Sequence, residues 1–189
     1  MDIEKIVQIT FFILKKYNYR LNYTKLIKLL YLADRESLKE TGMSITNDIY
    51  FSLDNGPVLS GLLDLIHGCY TDKNAQNLWN ARFARDSFDL ISVVDRMPQG
   101  KLSEFDREVL NKVDEQFHEN DYSYMINYLH NKKNCPEWKN PCGSRIPIKT
   151  EEILASVGKS KEEIEFIMQE NTIYEQEEKL VAALGDSFA

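Results

Sequence analysis

Four consecutive residues, Asp54-Asn55-Gly56-Pro57, constrain this chain more than any other stretch. Asn and Gly tolerate positive φ, while Pro fixes its own φ and lacks an N–H. The backbone must turn here. Upstream, Ile45 to Leu53 has a β-rich centre at Ile49-Tyr50-Phe51. Downstream, Val58, Leu59, Leu62, Leu63, Leu65 and Ile66 predict a third helix, with Pro57 suited to its first turn. The turn is expected to set the angle between strand and helix, and to present Tyr50 and Asn55.

Two helices are predicted ahead of this turn. Ile3, Ile6, Val7, Thr10, Ile13, Leu14 and Tyr17 recur at three- and four-residue spacing over Asp2 to Tyr19. From about Thr24 to Glu40, Leu26, Ile27, Leu30, Ala33 and Leu38 face inward, and Lys25, Lys28, Arg35 and Lys39 are expected mainly outward. Thr41-Gly42 stops that helix.

Beyond the third helix, Thr71 to Asn80 is polar and reads as a surface loop. Ala81 to Val94 predicts a β-hairpin with its turn at Asp86-Ser87. Ser103 and Asp106 form a capping pattern for a helix to about His118, and a shorter one runs from Tyr122 to His130. Asn131 to Lys149 has no periodicity and carries three prolines, an uncommon length of loop that is often functional. Thr150 is expected to cap a brief helix ending at Gly158. Ser160 and Glu163 form a capping box for a last, very acidic helix to about Leu184, whose face is Ile164, Ile167, Met168, Ile173, Tyr174, Leu180 and Leu184. The fold class is mainly α (α+β), with a small β-hairpin or sheet and a C-terminal helical extension.

Composition narrows the function classes. Hydrophobic residues at 43% and charged residues at 28% are ordinary for one globular domain. No apolar run approaches the ~18–20 residues that span a bilayer. Met1-Asp2-Ile3-Glu4 places acid where a signal peptide carries positive charge, so a cytoplasmic location without membrane contact is expected. The formal net charge of −7 opposes a grip on phosphate backbones and is more compatible with a basic partner. No direct nucleic-acid partner is expected. Three cysteines in such a chain do not suggest a disulfide framework.

Chemistry-bearing patterns are scarce. His130, Cys135, Cys142, His67 and Cys69 lack the short paired spacings of zinc sites, so no metal or other cofactor is expected. No Gly-rich phosphate loop, Gly-x-Ser-x-Gly elbow or His-Glu-x-x-His occurs, which argues against an enzyme. His130 is expected to hydrogen-bond the loop backbone and pack beside Trp138. Tyr19, Tyr23, Tyr50, Tyr70, Tyr122, Tyr124 and Trp138 fall at element ends and in loops, which tilts the reading towards an interaction surface.

Three stretches in order carry a family resemblance: Thr24-Lys25-Leu26-Ile27-Lys28-Leu29-Leu30-Tyr31-Leu32-Ala33-Asp34, then Ile49 to Val58 with its Gly56-Pro57-Val58, then His130 with Pro136-Glu137-Trp138 and Ile146-Pro147-Ile148. Together they resemble the Panacea domain, or SocA-like antitoxin domain, over roughly Leu21 to Val157. The chain departs from the family pattern at Asn55, before Gly-Pro. The resemblance implies a helical Panacea-type domain at 1–157, followed by an acidic helical extension at 158–189. It implies an antitoxin that binds and neutralises a cognate protein toxin, by occlusion or by delivery to a cytosolic protease. Tyr31, Tyr50, Asn55, Gly56, Pro57, His130 and Trp138 are the candidate partner-binding residues. The alternative is a phage- or mobile-element-encoded regulator that binds a host or defence protein. Oligomeric state is left open.

Overall fold

In this computed structural model the described residues are 1–185, with side chains described to 181 except at 175, 178 and 179. Among them the chain forms eight helices and six short strands. The first helix, α1 (Ile3–Lys16), is capped by Asp2, whose carboxylate accepts from Lys5 N at 3.1 Å. Its Ile6, Ile9, Ile13 and Leu14 are buried, as the spacing predicts. A short strand β1 (Arg20–Asn22), which the sequence does not announce, leads into α2 (Tyr23–Thr41). Asn22 caps α2, and Gly42 closes it at φ +77° with its N–H on Leu38 O.

The helix α2 organises the molecule. Every residue from Lys25 to Asp34 is buried, so neighbours enclose it on all sides. The expected outward placement of Lys25 and Lys28 is therefore corrected: both are buried, and only Arg35 and Lys39 reach towards solvent. The enclosed stretch Lys25–Asp34 has no solvent side, so its polar residues must find partners across the fold.

Asp34 shows how. It accepts from Ile45 N at 2.9 Å, Thr46 N at 3.0 Å and Tyr50 OH at 3.0 Å, and also from the Thr46 hydroxyl. Burial pushes its carboxyl up to about 6, against the pull of these donors. One side chain thus fixes the segment entering strand β2 (Tyr50–Leu53).

After the turn the expected helix start is corrected. Gly56 to Leu59 form a strand, β3, antiparallel to β2 with Leu53 opposite Gly56 and Ser52 opposite Pro57. Helix α3 (Ser60–His67) begins only afterwards. β3 lies at the edge of the sheet β3-β2-β6, where a proline without an N–H is tolerated. Position 59 offers no side-chain cap, and Asp48 supplies one from outside the helix, accepting from Gly61 N and Leu62 N at 2.9 Å each.

The polar segment expected as a loop is instead α4 (Lys73–Asn80), capped by Asp72 and burying Ala75, Gln76 and Trp79. Trp79 packs on Phe83 with ring centroids 4.5 Å apart. A single apolar face on a two-turn helix is too short a signal to read against its polar neighbours. The predicted hairpin forms as β4 (Phe83–Asp86) and β5 (Asp89–Ser92), with its turn one residue later than expected, at Ser87-Phe88, because Asp86 pairs with Asp89, and β1 extends it by pairing Leu21 with Leu90. The predicted capping box of Ser103 and Asp106 opens α5 (Glu104–Phe117), and α6 (Tyr122–His130) follows.

Within the long loop, β6 (Ile146–Ile148) pairs with β2. Thr150 is the first residue of α7 (Thr150–Ser156), with Lys149 in the cap position expected for Thr150. The last helix, α8 (Lys161–Gly185), starts at the predicted box, with Ser160 N donating to Glu163 and Glu163 N to Ser160. The expected apolar face of α8 is corrected in part. Ile164, Ile167 and Met168 pack on the body, but Ile173, Tyr174 and Leu180 are exposed. Leu184 has a side chain outside the described residues.

Replacing Asp34 with Ala strands the backbone N–H of Ile45 and Thr46 and the Tyr50 hydroxyl in the interior. The expected loss in unfolding free energy is roughly 3 kcal/mol or more, measured by urea denaturation.

Candidate functional site

The Asp54–Pro57 turn is built by three parts of the chain that meet only after folding. Gly56 has φ +96°, a left-handed value that a side chain disfavours. A Cβ there would lie 3.1 Å from Lys28 Nζ and 3.7 Å from His130 Cδ2. Lys28 therefore passes beneath the glycine and donates to Pro57 O at 2.6 Å. It is 1% exposed, and burial lowers its pKa to about 7, with Cys135 acting in the opposite direction.

The proline-containing loop clips the other side of the hairpin. Trp138 Nε1 donates to Leu53 O at 3.0 Å, Lys139 N to Ser52 Oγ at 3.1 Å, and Gly143 N to Asp54 Oδ1 at 2.9 Å. His130 stacks on Trp138 with centroids 4.1 Å apart and planes 19° from parallel, as the sequence predicts. Its Nε2 is buried without a hydrogen-bond partner. Burial and then the neighbouring Lys28 charge lower its pKa, while a hydrogen bond with the Asp54 backbone raises it. A largely neutral ring at pH 7 follows.

One helical turn along α2, a second buried group ties the same loop to the core. Glu137 Oε1 accepts from Tyr31 OH at 2.8 Å and lies 2.7 Å from Arg35 Nε. Cys135 is buried beside it, and its thiol is pushed up to about 12 by burial first and the Glu137 charge second. A thiol held protonated and out of solvent is not a nucleophile. Cys69 and Cys142 are exposed and free. Among the described residues no three His, Cys, Asp or Glu side chains group as a metal site would require.

The seven candidate residues thus fall into two sets. Tyr31, Tyr50, Gly56, Pro57 and Trp138 are buried and brace the turn. Asn55 is exposed at its tip, and His130 is half-buried. Beside the tip lies a groove of about 320 Å³ whose walls include Tyr23, Ile27, Leu53, Asn55, Leu63 and His67. The exposed Phe88 stands near it, its ring 6.3 Å from that of Tyr23. A groove with both apolar and polar walls can accept a side chain of another protein.

Lys28, Asp34, Arg35 and Glu137 were not among the candidates. Their signal is faint but present: Lys28 and Asp34 sit in a helical stretch too apolar to leave them a solvent face.

With this geometry in place, the comparison with known families is informative. The sequence model described as antitoxin SocA-like, Panacea domain, matches residues 26–139, more than half of the chain. The chain belongs to this family. The match takes in Lys28, Tyr31, the Gly56-Pro57 turn, His130 and Trp138, and so most of the braced turn, with Gly143 beyond it. Neither the characterised proteins nor the solved structures give a match.

Two outcomes test this construction. Gly56→Ala meets both an unfavourable φ and the Lys28 ammonium, with an expected loss of about 1–3 kcal/mol in urea denaturation. The second concerns pH. The folded pKa of Lys28 near 7 lies below its unfolded value, so between them the unfolded chain holds the extra proton. Stability from this group therefore rises as pH increases from about 7 towards 10. Cys135 and Tyr31, raised by burial, work in the opposite sense at alkaline pH. They remain in Lys28→Met, so the difference in urea midpoint between wild type and variant isolates the lysine. Relative to Lys28→Met, the wild type is expected to gain stability with pH over that window.

Proposed function

We propose that this chain is the antitoxin of a toxin–antitoxin pair and neutralises a protein toxin by binding it directly. The observation that carries this reading is the family match across residues 26–139. The chemistry inside that region supports binding over catalysis, because its motif residues are consumed in bracing a turn. Lys28 is committed to Pro57 O, Tyr31 to Glu137, and Cys135 is a buried protonated thiol. No cofactor enters this function, and no nucleic acid is contacted directly.

The reading divides the chain into a domain at 1–157 and a partner-specific helical extension at 158–189. The domain's own contact surface is the tip of the turn, through Asn55 and the edge of His130, with the groove beside it. Its place of action is the cytoplasm. Among the described residues no helix is long and apolar enough to cross a membrane. Neutralisation proceeds by covering the toxin's active surface or by handing the toxin to a cytosolic protease. Toxin half-life in the presence of the antitoxin separates these routes.

Co-expression with the protein encoded by the adjacent gene is the direct test. Expression of that neighbour alone is expected to arrest growth, and co-expression of this chain to restore it with co-purification of the pair. A harmless neighbour that does not co-purify sinks the antitoxin reading. Asn55→Arg, at an exposed turn position, is expected to weaken the complex about tenfold, or ~1.4 kcal/mol, without changing the thermal melt.

A further inference from the structure

The outer face of α8 carries a pattern that the body of the protein does not use. The helix docks through Ile164, Ile167 and Met168, and Asn171 Nδ2 donates to Gly42 O at 3.1 Å. Rotated away from that seam lie Phe166, Ile173 and Leu180, exposed at 63%, 51% and 61%, with Val181 at 69%. The seven-residue spacing of Phe166, Ile173 and Leu180 puts these three on one line, drifting only ~20° per step around the helix. Glu170 and Glu177 are exposed and fall four residues after Phe166 and Ile173, on the same face. The face therefore alternates: apolar, acidic, apolar, acidic, apolar.

Large apolar side chains exposed in series mark an interaction surface. The charge decides its occupant. Between Lys161 and Gly185 the helix has seven glutamates against two lysines. A second copy of this helix laid along the first would bring acidic residues of both copies into one interface, and like charges there are unfavourable. A basic surface is attracted instead, and its cations fit between the apolar contacts.

We infer that α8 docks by its Phe166–Ile173–Leu180 face into an apolar groove of the toxin that is lined with Lys or Arg. This inference rests on the antitoxin reading and specifies how the partner is held. The groove has apolar sockets about 10 Å apart, the rise of seven helical residues, with cations between them. This is the helix-in-groove mode of recognition, read through anchors at i, i+7 and i+14. It also fits the acidity of the chain as a whole.

The test uses the full-length chain and the protein encoded by the adjacent gene, assayed by growth rescue and by affinity at two salt concentrations. One variant removes the anchors, Phe166→Ser with Ile173→Ser and Leu180→Ser. A second reverses the intervening charge, Glu170→Lys with Glu177→Lys. All five side chains are exposed, and a thermal melt checks that both variants fold. The expected result is a wild-type complex that weakens as salt rises, and a loss of at least tenfold in affinity for each variant. If wild type and anchor variant bind and rescue equally, the docking inference is overturned and the antitoxin reading stands. If a toxic neighbour is neither bound nor neutralised by wild type, both fall together. If sedimentation shows a wild-type dimer that the anchor variant abolishes, the face pairs with a second copy and the inference is likewise overturned.

Discussion

The enclosure of α2 is the constraint on which the rest of the structure depends. A helix buried on one stripe can leave its charged residues in water. With ten consecutive residues buried, α2 cannot, and Lys28, Tyr31 and Asp34 must each reach a partner elsewhere in the chain. Lys28 reaches the carbonyl of Pro57, Tyr31 reaches Glu137, and Asp34 holds the segment at Ile45–Thr46 together with Tyr50. These bonds connect positions 28 with 57, 31 with 137, and 34 with 45–50. They convert a helix at the start of the domain into the support for its hairpin and its long loop.

A consequence is that residues sharing a motif do not share a role at the surface. Tyr31, Gly56, Pro57 and Trp138 shape the turn from inside. Asn55 is exposed at the tip, with the groove beside it. Burial accounts for the chemical quietness of the site as well: Cys135 stays protonated and Lys28 is spent on a backbone carbonyl. In the reading proposed above, partner choice resides in the long acidic helix, which docks on the frame through Ile164, Ile167, Met168 and Asn171.

Much of this was legible in the amino-acid sequence, and the failures have physical causes. The helices α1, α2, α5 and α6 follow from apolar spacing and caps, and the capping boxes at Ser103 and Ser160 mark helix starts to the residue. The stacking of His130 on Trp138 was also readable. Pro57 misled, because a proline after glycine suits a helix start as well as an edge strand, and only pairing with Ser52 decides between them. Trp79 sat in a polar stretch, and its burial depends on Phe83 across a turn. Lys28 looked like a solvent-facing cation because helical periodicity reports one buried face, whereas α2 has neighbours all round. The exposed line Phe166–Ile173–Leu180 was hidden for the opposite reason. Apolar residues on an isolated helix read as core until the structure shows which side the body occupies.

The central claim is a division of labour between an inner frame and an outer contact surface. Hydrogen–deuterium exchange of the chain, alone and bound to the protein encoded by the adjacent gene, tests it most directly. The expected result is slowed exchange in α8 and around Asn55 on binding, with the amides of α2, already enclosed, unchanged. Unchanged exchange in α8 and around Asn55, with new protection confined to other elements, would contradict it.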